Sequence, residues 1–276
     1  DLKLYSSFSM QDSAHDNSIS EALRDLANWA DQWQLNINIA KCHVLHLGRN
    51  NPRFSYCINN IRIDDNGGYV TDLGVDIDPG LRFDMHIKGI IAKAYQRIAL
   101  IFRGFQSRQP DLLVRAYVSF VRPLLEYCSC VWSPVLHKHV NAIERVQKYF
   151  TRKLYNMQDI SYLDRLAALN MESLEMRRLK LDLCMYYKIM HNLIALPVDL
   201  YFHFDDRNLT TRNYDPNNLL KPMLKTRLSS QNFFNRCIDA WNSISLDIRS
   251  ADSFIVFKRA LQTIDFSCFM IGQYST

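Results

Sequence analysis

The sequence predicts an α+β fold, mostly α: a small β-rich N-terminal part, then a long run of helices. Three observations predict it. Period-two alternation of apolar residues is confined to the chain before Phe83. Beyond it, apolar residues recur at three- and four-residue spacing over long segments. With 276 residues, 48% of them hydrophobic, there is material for one large core or two smaller ones.

Leu2, Leu4 and Phe8 alternate with polar residues and read as the end of a short strand. Asp16 to Ser18 supply helix-capping types, and Ile19, Leu23, Leu26, Ala30 and Trp33 then mark an amphipathic helix that Asn36 and Asn38 break. His43 to Leu47 is expected as a strand. Phe54 to Ile63 is expected as two strands about Asn59-Asn60, a hairpin dipeptide. Leu73 to Phe83 is expected as a hairpin turning at Pro79-Gly80 and packed on 43–47. Helices follow over His86–Phe105, from Pro110 past Tyr127 with an interruption near Val121 set by Pro123, over Val140–Leu154 and over Met171–Leu193. Residues 196–228 lose periodicity and read as a loop or linker. Phe233–Trp241 and Ser253–Leu261 close the chain as helices. The expected domains are therefore 1–84, 85–195, the linker 196–228, and 229–276 packed on the helical bundle.

Seven cysteines are scattered with no C-x-x-C, which reads as buried thiols in a reducing compartment. Cys42, His43 and His46 match no common zinc spacing. Asp205-Asp206 is a loop pair with no partner carboxylate. Trp132 and Trp241 read as core, and Glu126 as one side of a buried hydrogen bond or ion pair. No run of eighteen uncharged apolar residues occurs, so no membrane span and no membrane partner are expected. The chain opens DLKLYSSF with neither a basic-then-apolar leader nor a methionine. It is expected to be a non-secreted segment of a longer protein.

Charge is uneven. Residues 1–85 carry net −5, residues 86–160 net +8, and residues 161–276 net +2. A basic block in a near-neutral chain fits a polyanion partner, nucleic acid above all, or a solvated helix surface. Within the block, Arg145, Lys148 and Arg152 at i, i+3 and i+7 form one stripe, away from Val140, Ile143, Val146 and Phe150. The preceding helix carries Lys88, Lys93, Arg97 and Arg103.

Several stretches resemble, in order, the reverse transcriptases of jockey-like non-long-terminal-repeat retrotransposons. Trp29 to Gly48, WADQWQLNINIAKCHVLHLG, is similar to the end of the palm, with Leu35, Asn38, Lys41, Cys42 and Leu45 at the family's positions. Leu73-Gly74-Val75-Asp76-Ile77 with Leu81, Phe83 and His86 resembles the hairpin that grips the primer end. YVSFVRPLLEYCSCVWSP (117–134), ERVQKYFTR (144–152), LNMESLEMRR (169–178), FFNRCIDAWN (233–242) and SFIVF (253–257) resemble later family motifs.

The resemblance implies a C-terminal part of an RNA-directed DNA polymerase: the palm end, a basic thumb and a helical extension. Its partners would be RNA template, DNA primer, and the upstream palm and fingers of the same polyprotein. The implied location is intracellular, nuclear and cytoplasmic. Asp1 would be the second aspartate of the metal-binding pair, in a site that takes Mg2+ in the complete enzyme. One carboxylate cannot hold two metal ions, so this chain alone is expected to hold none and to be inactive. Lys41 would be the palm lysine that protonates leaving pyrophosphate, where a surface lysine after a turn is the plainer reading. Leu73, Gly74 and Val75 would touch the primer, and Lys88, Lys93, Arg97, Arg145, Lys148 and Arg152 the phosphates. The alternatives are a non-catalytic nucleic-acid-binding helical module, or a decayed element without function.

Overall fold

The computed structural model describes residues 2–7, 18–48, 50–65, 68–107, 109–204, 218–223 and 232–272. Asp1, Phe8, Asp16, Asp205 and Asp206, all singled out above, lie outside the described residues. The fold is α+β and mostly α, and the chain divides into two compact units, Asp1–His86 and Ile87–Thr276. No helix among the described residues is long and apolar enough to cross a membrane.

In the first unit, helix α1 (Ser18–Gln32) turns Leu23, Ala27 and Ala30 inward. Leu23 and Ala27 meet Tyr56, Ile58 and Ile63 in a small core edged by Ile37, Val44 and Phe54. Strands β1 (Cys57–Ile58) and β2 (Ile61–Arg62) pair antiparallel about Asn59-Asn60. Both asparagines have positive φ, 48° and 61°, as a tight two-residue hairpin turn demands. Trp33 is 63% exposed, so the apolar stripe expected to run through it stops at Ala30.

Two expectations here are corrected. Residues 43–47 form no strand: the segment is irregular, held by single backbone bonds from Val44 N–H to Asp64 O (3.2 Å) and from Gly48 N–H to Pro79 O (3.2 Å). The second hairpin exists but turns earlier. Strands β3 (Val70–Asp72) and β4 (Val75–Ile77) join through Leu73 and Gly74, with φ of 45° and 83°. Pro79-Gly80 lies in a turn organised by Asp78, whose carboxylate accepts from the backbone N–H of Gly80, Arg82 and Phe83 at 2.7 to 2.9 Å. A side chain that takes three N–H groups competes with a ladder, so no strand returns over 81–83.

The second unit is helical. It comprises most of α2 (Asp84–Gly104), then α3 (Pro110–Phe120), α4 (Arg122–Glu126), α5 (Ser129–Trp132), α6 (His137–Arg152), α7 (Tyr162–Ala168), α8 (Leu174–Met190), α9 (Val198–Tyr201), α10 (Phe233–Arg236), α11 (Ile238–Asn242), α12 (Leu246–Arg249) and α13 (Phe254–Ala260). Pro123 divides α3 from α4 at Val121, as its missing N–H requires. Leu113, Ala116, Tyr117, Val121 and Leu125 are buried there, whereas Leu112, Phe120 and Tyr127 are exposed. Ser173 caps α8 by accepting from Met176 N–H at 3.1 Å.

Helix α8 is the central post. Its Leu183, Tyr186, Tyr187 and Ile189 pack in one core with Phe202, Leu219, Trp241, Phe257 and Phe266. Each such large apolar side chain contributes roughly 1.5–3 kcal/mol on burial. The segment expected as a linker thus serves the core at its described ends: Phe202 and Leu219 are 3% exposed, and Phe204 bridges Leu219. The described parts of this segment are mostly irregular, as a loop would be, yet Phe202 and Leu219 anchor them in the core. Only Cys184 and Cys237 of the seven thiols are buried.

Candidate nucleic-acid interface

Helix α6 has two opposed faces. The inner one carries Val140, Ile143, Val146 and Phe150, each 0% exposed, as expected from the sequence. It also carries Glu144, Gln147 and Thr151 at i, i+3 and i+7, all buried. Gln147 accepts from Tyr117 O–H (3.2 Å) and donates to Tyr162 Oη (3.0 Å) and Glu172 O (2.9 Å). Tyr162 O–H donates to Glu144, whose carboxylate also accepts Leu174 N–H at 3.1 and 3.2 Å, at the start of α8. Thr151 Oγ1 accepts from Arg165 Nε at 3.1 Å.

Burial raises the Glu144 carboxyl above its usual range, opposed by the Tyr162 hydroxyl and the charge of Arg178. Burial likewise pushes the Tyr117 and Tyr162 hydroxyls up. These groups tie α6 to α3, α7 and the start of α8. Glu126 is held in an ion pair: it receives both Nε–H and Nη2–H of Arg177, the latter at 3.1 Å, with Arg122 Nε 3.7 Å away. Trp132 and Trp241 are core, 1% and 3% exposed.

The outer face of α6 presents Arg145, Lys148 and Arg152 in one stripe. Arg145 and Arg152 are exposed, while Lys148 is half-buried with its ammonium 5.1 Å from the Tyr162 ring centre. The structure adds residues the sequence reading passed over. Tyr149 falls within the stripe, 40% exposed, in T-shaped contact with Tyr95 of α2, ring centres 5.3 Å apart. Lys153 Nζ sits 4.5 Å from the Tyr149 ring centre and 5.7 Å from that of Phe102. Tyr149, Arg152, Lys153 and Gln158 line a shallow, open depression. Burial raises the Tyr95 hydroxyl, and the nearby charge of Arg145 works against it. The available signal was Tyr149 at i+4 from Arg145, an aromatic set among cations.

The cations of α2 do not form one stripe with these. At 3.6 residues per turn, Lys93 and Arg97 fall on the opposite flank of the buried Ile87–Ala94–Ile98–Ile101 line from Tyr95 and Phe102. Arg97 donates to Phe120 O at 3.1 Å. Lys88 and Arg103 are exposed nearer the Tyr95 flank.

In the first unit, Lys41 ends a short 3-10 turn, Ile39–Lys41, and is exposed. In the β3–β4 turn Leu73 is 65% exposed, but Val75 is 4% exposed and points into the unit, so its side chain cannot meet a primer. Among the described residues no three His, Cys, Asp or Glu side chains come together as a metal site.

No family model matches the chain, and no solved structure does. The chain is similar to an uncharacterized protein of Caenorhabditis elegans, 30% identical over 131 residues. That match covers 46% of this chain and 66% of the nematode protein.

Proposed function

We propose that this chain is the C-terminal part of a retrotransposon-type reverse transcriptase, and that its second unit holds primer–template through the phosphates. The observation that carries the reading is the two-faced helix α6. Its inner face is locked to Tyr117, Tyr162 and Leu174 by buried hydrogen bonds, and its outer face offers Arg145, Tyr149, Arg152 and Lys153 to solvent. A rigid helix with a row of cations can follow a phosphate backbone without reading bases. The ordered set of motifs from Trp29 to Phe257 supports the polymerase assignment.

The described residues do not form a magnesium site, and the proposal asks only for nucleic-acid holding from them. The test is a salt titration on an RNA–DNA duplex with the wild type and the Arg145→Gln, Lys148→Gln, Arg152→Gln triple variant. Each lost phosphate contact flattens the log–log salt slope by about 0.7–0.9, so the triple change should flatten it by roughly 2 to 3 units. An unchanged slope removes α6 from the interface. The polymerase assignment is tested separately, by nucleotide incorporation with the chain joined to an upstream palm and fingers.

A further inference from the structure

The depression at the end of α6 combines three features that a duplex backbone alone does not require. It holds an exposed aromatic ring, Tyr149, in T-shaped contact with Tyr95, ring centres 5.3 Å apart. It holds two cations, Arg152 and Lys153, on its rim. It holds one neutral amide, Gln158, with donors and an acceptor, and none of its four lining residues is a carboxylate.

We infer that this depression is a step for a single unpaired nucleotide: its base stacks on Tyr149, its edge meets Gln158, and its phosphate lies between Arg152 and Lys153. The inference rests on the nucleic-acid reading above and adds a single-strand preference to it. Bases in a duplex keep their faces stacked on each other, so a lone tyrosine ring has nothing to offer them. An unpaired base has a free face, and every base has a π-face to give. Lys153 now lies over the Tyr149 ring at 4.5 Å, an interaction that is weak at an exposed site. A phosphate attracts the same ammonium more strongly and leaves the ring to the base. An acidic peptide would use the two cations and leave the ring idle.

The experiment compares the affinity of the full chain for a blunt RNA–DNA duplex with that for the same duplex bearing a short unpaired extension. The quantity read is the ratio of the two. Wild type should prefer the extended ligand, and Tyr149→Leu should lower the ratio by roughly 5- to 150-fold, the range for losing one base–aromatic stack. Tyr149→Phe keeps the ring and should keep the ratio, which separates stacking from a folding defect. Polyglutamate, a polyanion without bases, should compete equally against both chains. A ratio of one in wild type, or an equal ratio in wild type and Tyr149→Leu, overturns the inference while leaving duplex holding intact. Loss of binding to both ligands in wild type overturns the nucleic-acid reading itself.

Discussion

Replacing Arg236 by alanine tests how the second unit is held together. Arg236 on α10 gives Nε–H and Nη2–H to Asp182 on α8, at 3.0 and 2.9 Å. Its Nη2 also donates to the carbonyls of Cys130 (2.9 Å) and Ser129 (3.3 Å) on α5. The two side chains are 10% and 3% exposed. Removing the guanidinium leaves the Asp182 carboxylate inside the protein with the Cys237 thiol at 3.5 Å and the charge of Arg178. Breaking a buried pair by deleting one partner costs about 3–5 kcal/mol, a large part of the stability of an ordinary domain. The pH dependence carries a sign. Burial already raises the Asp182 carboxyl above 3.8, with Arg236 pulling it back down. A raised carboxyl stabilises the fold fully below its unfolded pKa, and that contribution is lost as pH rises through the folded pKa. Without Arg236 the folded pKa climbs further, so the cost of the substitution is largest at neutral pH and shrinks toward acid. Urea unfolding followed by far-UV circular dichroism at about pH 7.5 and about pH 5 reads this out. A difference from wild type below about 1 kcal/mol, or one that grows toward acid, would refute the strut.

Two further substitutions probe other elements. Gln147→Leu strands the Tyr117 hydroxyl and the Glu172 carbonyl inside the bundle and should cost about 2–4 kcal/mol in the same urea assay; a neutral result would mean the hydrogen-bonded network around α6 adds nothing. Leu73 sits at φ 45°, a conformation costly for a branched apolar residue and easier for asparagine. Leu73→Asn should therefore raise the thermal midpoint of the first unit, by a gain of about 1 kcal/mol, and an unchanged or lower midpoint speaks against strain at this turn.

Much of the architecture was legible because it follows periodicity. The inner face of α6, the division at Pro123 and the Asn59-Asn60 hairpin all came from spacing or dihedral preference alone. The failures have physical causes. Pro79-Gly80 is a turn dipeptide, but the Asp78 carboxylate takes the N–H groups that a returning strand would need. The aperiodic stretch after Leu196 resembled a linker because Phe202 and Leu219 reach the core singly, without a repeating pattern. Helix α7 was missed: only seven residues long, it shows too little of an apolar period to register. At the interface, the basic stripe could be read from the sequence. The ring of Tyr149 could not be weighed without Tyr95, fifty-four positions earlier in the chain.

The motif residues of the second unit include two kinds that the structure separates. Tyr117, Glu144, Gln147, Thr151 and Leu174 meet in one buried hydrogen-bonded network. Glu126 joins Arg177, and Arg236 joins Asp182. Asn242 exchanges two hydrogen bonds with the backbone of Leu219, at 2.9 Å each, and Ser253 caps α13. These contacts join helices to one another, tie a loop to a helix or cap a helix end, and a strut of this kind says what the fold is without touching a ligand. Arg145, Lys148 and Arg152 lie within the same motif as Glu144 and Gln147 but face the other way. A motif that spans two faces of one helix therefore carries two separable messages. Substitutions on the inner face should move the unfolding midpoint, and those on the outer face should move the salt slope, because exposed charges contribute little to stability. The proposal that α6 is both brace and phosphate rail requires that independence.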